Sequence, residues 1–191
     1  MLYFYKNNNM KKLITASFFC SASFFCISQV DATLAPIGLL WGDFSLSADY
    51  CFNENLSAEF GAGFGSRTQD SSAFDQGYTS TNLNFQGSVK YYFSPNQGGD
   101  GVYAGGFLRS INRNIDYSDN LISSYDQSRI GAGVLLGTKR VSYSGFVFDI
   151  NLGAGRAFFD ETTFEDEDGG SLVIDWPDLM ITGRLGLGYR F

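Results

Sequence analysis

Leu179-Met-Ile-Thr-Gly-Arg-Leu-Gly-Leu-Gly-Tyr-Arg-Phe191 is the stretch that decides the fold. Its residues alternate without a slip to the last position. Leu179, Ile181, Leu185, Leu187, Tyr189 and Phe191 fall on one face; Met180, Thr182, Arg184, Gly186, Gly188 and Arg190 fall on the other. A period of two, apolar against polar or small, marks a β-strand with one apolar face. The same rhythm runs upstream. Phe44 to Phe52 sets Phe44, Leu46, Ala48, Tyr50 and Phe52 against Ser45, Ser47, Asp49 and Cys51. Leu56 to Gly65 sets Leu56, Ala58, Phe60, Ala62 and Phe64 against Ser57, Glu59, Gly61 and Gly63. Leu83 to Phe93, Arg129 to Leu136 and Phe146 to Gly155 repeat it. Thr33 to Trp41 reads as a short first strand, with Pro36 tolerable near its start. Val102 to about Asp116 completes eight; there Tyr103, Phe107, Ile111 and Ile115 form the apolar parity, and Arg109 and Arg113, on the same parity, are expected to snorkel at the outer interface.

The chain has 191 residues, 44% hydrophobic and 17% charged, enough for one domain. One long apolar stretch, Leu13 to Val30, follows Lys6, Lys11 and Lys12 and gives way to small residues. It reads as a secretory signal over residues 1–28, with cleavage as late as residue 32, leaving 33–191 as the folded domain. Removing those three lysines and no acid takes the net charge from −7 to −10. Such a surface excludes nucleic acid as a partner. Cys20 and Cys26 lie in the signal, so Cys51 stands alone and no disulfide framework is available.

Strand alternation alone does not say which face points inward, because a soluble calyx would turn the apolar face towards a ligand. The glycines decide it. Gly61, Gly63, Gly131, Gly133, Gly153, Gly155, Gly186 and Gly188 crowd the polar face, a composition suited to the narrow interior of an eight-stranded barrel rather than to a water-facing surface. Aromatics gather at strand ends: Tyr50, Phe52, Tyr91, Phe93, Tyr103, Phe146, Tyr189 and Phe191 near one set of turns, Trp41, Phe64 and Phe158 towards the other. These are two interfacial girdles. Turns at Asn53, Ser94 and Thr138 are the short, near-side ones, and the connections starting near Arg67, Asp119 and Asp160 are outer loops.

Gly186-Leu-Gly-Tyr-Arg-Phe191, with aromatics at the last and third-last positions, resembles the C-terminal signal by which outer-membrane β-barrels are recognised for insertion. Ala35-Pro-Ile-Gly-Leu-Leu-Trp-Gly-Asp-Phe-Ser-Leu-Ser-Ala-Asp-Tyr50, together with the closing strand, resembles the small OmpA/OmpX-like barrels, in particular an uncharacterised branch of them. The likeness covers essentially the whole mature chain. It implies an all-β, eight-stranded antiparallel transmembrane up-and-down barrel in the bacterial outer membrane, with the last strand closing onto the first. It further implies Tyr189 and Phe191 as the assembly signal read by the barrel assembly machinery, and outer-membrane lipid and lipopolysaccharide as surroundings.

The chain contains no histidine, so neither a His-assisted nucleophile nor a His metal site can be built. Asp49 and Glu59 are equidistant from the turn at Asn53 to Asn55 and face one another on the inward side. Lys90, Asp149 and Arg184 sit at comparable heights on other strands. The favoured reading is an ion network of Asp49, Glu59, Lys90, Asp149 and Arg184 plugging the lumen, over a catalytic carboxylate pair, because eight strands leave little room for a substrate cleft. Gly131-Ala-Gly-Val-Leu-Leu-Gly137 has the wrong spacing for a nucleotide loop and reads as strand. The acidic run from Asp160, with Glu161, Glu165, Asp166, Glu167 and Asp168, reads as a solvated loop. Asp166 and Asp168 are its weak candidates for a divalent ion, although Phe164 stands where an EF-hand would begin.

These readings converge on a monomeric, non-enzymatic barrel without cofactor, acting through its outer loops on an unknown extracellular partner. The competing expectation is a narrow pore or a carrier of small molecules or lipid through the lumen.

Overall fold

The computed structural model describes residues 29–39, 42–70, 77–117, 122–166, 171–173 and 178–191. The signal segment at 1–28, Trp41 and Asp168 lie outside them. The chain forms β1 (Val30–Leu34), a helical turn α1 (Pro36–Leu39), β2 (Asp43–Cys51), β3 (Leu56–Gln69), β4 (Tyr78–Tyr92), β5 (Gly101–Tyr117), β6 (Ile122–Val141), β7 (Phe146–Asp166), a short β8 (Ser171–Val173) and β9 (Leu179–Arg190). Every pairing is antiparallel between chain neighbours, apart from β7 with β9 across the small β8 and β9 with β1. The β1–β9 ladder closes an eight-stranded up-and-down barrel; β8 pairs only with the outer end of β7.

The barrel is inside-out. Val134 is 69% exposed and Leu152 70% exposed on the outer wall, while Lys90 and Asp149 are sealed within. Apolar side chains that face outward are stable only in a non-aqueous solvent, and closure leaves no unpaired edge in lipid where the ladders are complete. Among the described residues no helix is long and apolar enough to cross a membrane; the outward apolar surface belongs to the strands. The outward residues also show where the apolar belt stops. On β3 they run Ala58, Phe60, Ala62 and Phe64, then Ser66 and Thr68; on β6 they run Leu136, Val134, Ala132 and Ile130, then Ser128 and Asp126. Near-side aromatic pairs line the other border, with ring centroids 5.0 Å apart for Tyr50 and Phe52 and 5.3 Å for Tyr189 and Phe191.

Four sequence expectations change. The first strand begins at Val30 and ends at Leu34 instead of spanning Thr33 to Trp41, because Pro36 takes the first position of α1, where its missing N–H costs nothing. β5 faces the opposite way from its reading: Tyr103 and Phe107 are buried in the lumen and Val102 and Leu108 are exposed on the wall. Register forces this, since Gly105 pairs with inward Lys90 and Phe107 with inward Ser88. Arg109 and Arg113 therefore point inward rather than towards a lipid interface. The near-side turn placed at Thr138 lies further on, at Ser142 to Gly145, where Gly145 has φ 87° and takes the left-handed conformation that a side chain would oppose. Finally, the acidic run from Asp160 is strand as far as Asp166.

Candidate functional site

Alternation along β2, β3, β6 and the near part of β7, as far as the bulge after Ala157, turns odd residues inward, and along β4 and β9 even ones. Register then stacks charged positions at one height in the near half of the lumen. Asp49 lies opposite both Asp31 and Glu59, Lys139 opposite Asp149, and Arg190 opposite Asp31. Three of these carboxylates meet at Lys90. Its Nζ donates to Asp49 Oδ2 at 3.0 Å, Glu59 Oε2 at 2.8 Å and Asp149 Oδ2 at 3.0 Å, using every donor of the ammonium.

The remaining cations extend the network. Lys139 Nζ donates to Asp31 Oδ2 at 2.8 Å and Asp49 Oδ2 at 2.6 Å. Arg184 donates to Glu59, to Asp149 at 3.1 Å and to Ser47 Oγ at 2.5 Å. Arg190 grips Asp31 with two parallel bonds, Nε to Oδ1 at 2.6 Å and Nη2 to Oδ2 at 2.8 Å. Asp31, Asp49, Glu59 and Asp149 thus face Lys90, Lys139, Arg184 and Arg190, a neutral set in which each charge touches its opposite. Neutrality matters here because an unmatched charge in this space would retain its full desolvation cost.

Two tyrosines complete the plug. Tyr103 Oη donates to Asp149 Oδ1 at 2.6 Å and accepts from Asn151 Nδ2 at 3.3 Å, and its ring lies 4.9 Å from Lys90 Nζ. The Tyr92 ring sits 5.2 Å from Lys139 Nζ and 5.1 Å from the Tyr103 ring. Gly137 opposite Tyr103 makes this possible, since a Cβ there would meet the ring's Cζ at 2.6 Å. Beneath the plug the β4–β5 turn folds across the end of the barrel. Arg190 donates to the carbonyls of Gln97 at 3.1 Å, Gly98 at 2.6 Å and Gly99 at 3.3 Å, and Gly99 N–H donates to Glu54 O at 2.8 Å. Cys51 is buried beside this floor as a free thiol.

All five residues that the sequence singles out for the lumen meet here, though their order of importance differs. Arg184 touches Glu59 and Asp149 but Asp49 is served by the two lysines, and Lys90 is the hub. Sequence reasoning misses Asp31, Lys139, Arg190, Tyr92 and Tyr103. Parity would have reached Lys139, which follows Leu135 and Gly137 on the inward face; Asp31 escapes any barrel that starts at Thr33. The carboxylates of Asp49, Glu59 and Asp149 come within 4.8 Å of one another, close enough to share a metal ion, but Lys90 Nζ already sits among those oxygens. The pair Asp49 and Glu59 is likewise held by cationic donors on both members, which leaves neither free to exchange a proton with a substrate. Asp166 ends β7 and Asp168 lies outside the described residues. Tyr189 and Phe191 project from the near-side wall, and Phe191 is tied back by its N–H to Val30 O at 2.9 Å.

Above the plug the lumen opens. One cavity of about 460 Å³ borders Glu59, Gln86, Arg109 and Arg184; another of about 520 Å³ at the outer mouth borders Asp43, Arg67, Tyr78 and Arg113.

No family model matches the chain, and no curated protein matches it. Solved structures do. A major outer membrane protein of Thermus thermophilus superposes with a TM-score of 0.55 at 17% identity, over 86% of this chain and 99% of that one. Acinetobacter baumannii CarO gives 0.49 at 10% identity, over 84% and 97%. Ail, the attachment invasion locus protein of Yersinia pestis, solved with the heparin analogue sucrose octasulfate, gives 0.47 at 15% identity, over 86% and 94%. The Thermus likeness shows the fold: that of an outer-membrane β-barrel.

Proposed function

We propose that this chain is a small barrel of the bacterial outer membrane, related to the OmpA/OmpX-like group, that neither conducts nor catalyses and acts through its outer rim. The observation that carries this reading is the plug: Lys90, Tyr92 and Tyr103 have no exposed surface, and the β4–β5 turn backs them. Eight strands enclose little more than their own side chains, so a neutral, aromatic-capped network leaves no water path. Signal removal after Ser28 suits the fold, since cleavage after residue 32 would discard Asp31 and with it the partner of Arg190 and Lys139.

Planar-bilayer recording tests it. The purified full chain should give no unitary conductance steps at about 100 mV in molar salt. Stable ohmic steps that vanish when a bulkier residue replaces Gly137 would establish a pore instead.

A second test addresses the rim. Replacing Glu165 to Asp168 by Ser-Gly should leave the barrel folded, because Glu165 and Asp166 pair only with the outermost end of β6 and with β8, and the β1–β9 ladder that closes the barrel is untouched. The thermal midpoint should be the same in Ca²⁺ and in EDTA for parent and variant. A Ca²⁺-dependent gain that the variant loses would make the outer acidic run a metal site.

A further inference from the structure

Among the described residues the ladders of the wall leave one seam. β1 bonds to β9 from Val30 opposite Phe191 as far as Leu34 opposite Leu187, and to β2 from the Cys51 N–H on Gln29 O as far as the Ala35 N–H on Ser45 O. Farther out β9 continues to Leu179 and β2 to Asp43, and among the described residues no strand lies between them. α1 stands there instead, with Ile37 and Leu39 exposed and Gly38 pressed on the Asp43 carbonyl, where a Cβ would meet its oxygen at 2.6 Å.

Alternation fixes what the open edge presents. Phe191 exchanges both backbone bonds with Val30, so the odd residues of β9 turn their N–H and C=O towards β1. At Leu185, Gly183, Ile181 and Leu179 these groups face the seam. In hydrocarbon they need protein partners, and two find them across the lumen: Arg109 Nη1 donates to Ile181 O at 3.2 Å, and Arg129 Nη2 to Leu179 O at 3.4 Å.

The 460 Å³ cavity borders Thr182 and Arg184 on the lumen face of β9 and Gly183 and Leu185 on its bilayer face. A single space can touch both faces of a strand only by passing round its free edge, so the cavity joins lumen to bilayer through the seam. Its two ends differ in chemistry. The inner end holds Arg109, which has no carboxylate partner among the described residues and whose buried Nε lacks a hydrogen-bond acceptor. The outer end is apolar, formed by Ile37, Leu152 and Leu185.

We propose that the seam is a lateral binding site for an anionic acyl lipid of the surrounding bilayer. The headgroup, a phosphate or carboxylate, passes the side-chain-free Gly183 to reach Arg109. The acyl chain remains outside against Ile37 and Leu185. Arg109 is the one lumen-facing cation bordering this space, among the described residues, that the plug does not neutralise, and an anionic head would supply both the missing charge and the acceptor for Nε. The site rests on the bilayer placement proposed above, and it gives the lumen above the plug a ligand without requiring conduction.

Native mass spectrometry of the full chain in a neutral detergent tests this, titrating lysophosphatidate, oleate, lysophosphatidylcholine and inorganic phosphate. Both anionic acyl probes should bind at least tenfold more tightly than the zwitterion, and inorganic phosphate at equal concentration should not compete. Arg109→Gln should lose at least tenfold for the anionic probes, with Arg109→Lys recovering most of it. Gly183→Val should block binding by filling the mouth; its Cβ would press on the movable end of Leu152 at 2.9 Å and lie at ordinary contact distance, 3.7 Å, from Asn151 O, so the variant should fold. Equal affinity for the zwitterion, effective competition by phosphate alone, or unchanged binding in both the Arg109→Gln and the Gly183→Val barrels would overturn the proposal. Heat-modifiable migration in dodecyl sulfate gels is scored first on each variant: its absence would count against the membrane barrel itself, whereas a folded barrel that ignores the lipids would count against the seam alone.

Discussion

Lys90→Met is expected to be the most damaging single substitution in the lumen, lowering stability by roughly 3 to 5 kcal/mol, the usual range for removing one partner of a buried ion pair. The methionine fills nearly the same volume, so the loss is electrostatic rather than a cavity. Asp49, Glu59 and Asp149 would all lose the donor they share, and only Lys139 and Arg184 would remain to offset them. Arg184→Met should cost clearly less, since Glu59 and Asp149 would keep Lys90 and the vacated space borders the open cavity above, where water can enter. Urea-unfolding midpoints of barrels refolded in phospholipid vesicles at about pH 8 measure both. A Lys90→Met barrel within about 1 kcal/mol of the parent would mean that the charges are already screened by water, and the pore reading would then overtake the plugged one.

Deleting Phe191 should leave exported but unassembled protein in the periplasm. Two effects combine. The deletion removes the backbone exchange with Val30, at 2.9 and 3.4 Å, which is the terminal rung of the ladder that closes the barrel. It also removes one ring of the edge-to-face pair with Tyr189 that the assembly machinery is proposed to read. Cell fractionation with protease shaving separates the outcomes, and Phe191→Ala separates the causes: it keeps the rung and loses the ring. If Phe191→Ala assembles as the parent does while the deletion fails, closure is the requirement and the aromatic signal is dispensable. Normal membrane yields for the deletion would contradict the roles of both.

The architecture is legible because bilayer-facing strands must repeat every second residue, and the last strand does so to its end. The site is legible only in part, for physical reasons visible at particular residues. In a plugged barrel the interior is aromatic as well as polar, so apolarity does not mark the lipid face. That is why alternation alone turns Tyr103 and Phe107 outward, and only their register against Tyr92 and Ser88 corrects them. Lys139 reads as turn because Thr138 to Ser144 is polar, yet polar residues at a strand's near end are what an ion network requires. Pro36 is compatible with either a strand start or a helix start, and local sequence does not choose between them. The seam cannot be read at all, since it arises from how far β1 extends relative to β2 and β9, and strand length is the feature that alternation specifies least.

The strands differ greatly in length, and this has a consequence outside the bilayer. β6 and β7 run to Ile122 and Asp166, well past the last outward apolar residue, whereas β2 stops at Asp43. From Ser128 back to Ile122 the hairpin rises on the order of 20 Å of strand beyond the belt, at about 3.3 Å per residue. Seen from the outer side, the described residues form a cup with a parapet on one flank, where β6 and β7 end, and a low sill on the other, where β2 ends. A bulky antibody or phage fibre approaching over the parapet is held away from the membrane surface; one approaching over the sill is not. Neighbouring barrels in a crowded membrane would meet the same difference in height, so this barrel has a front and a back in the plane of the sheet, and an epitope scan using binders of graded size should find accessibility changing with compass direction as well as with depth.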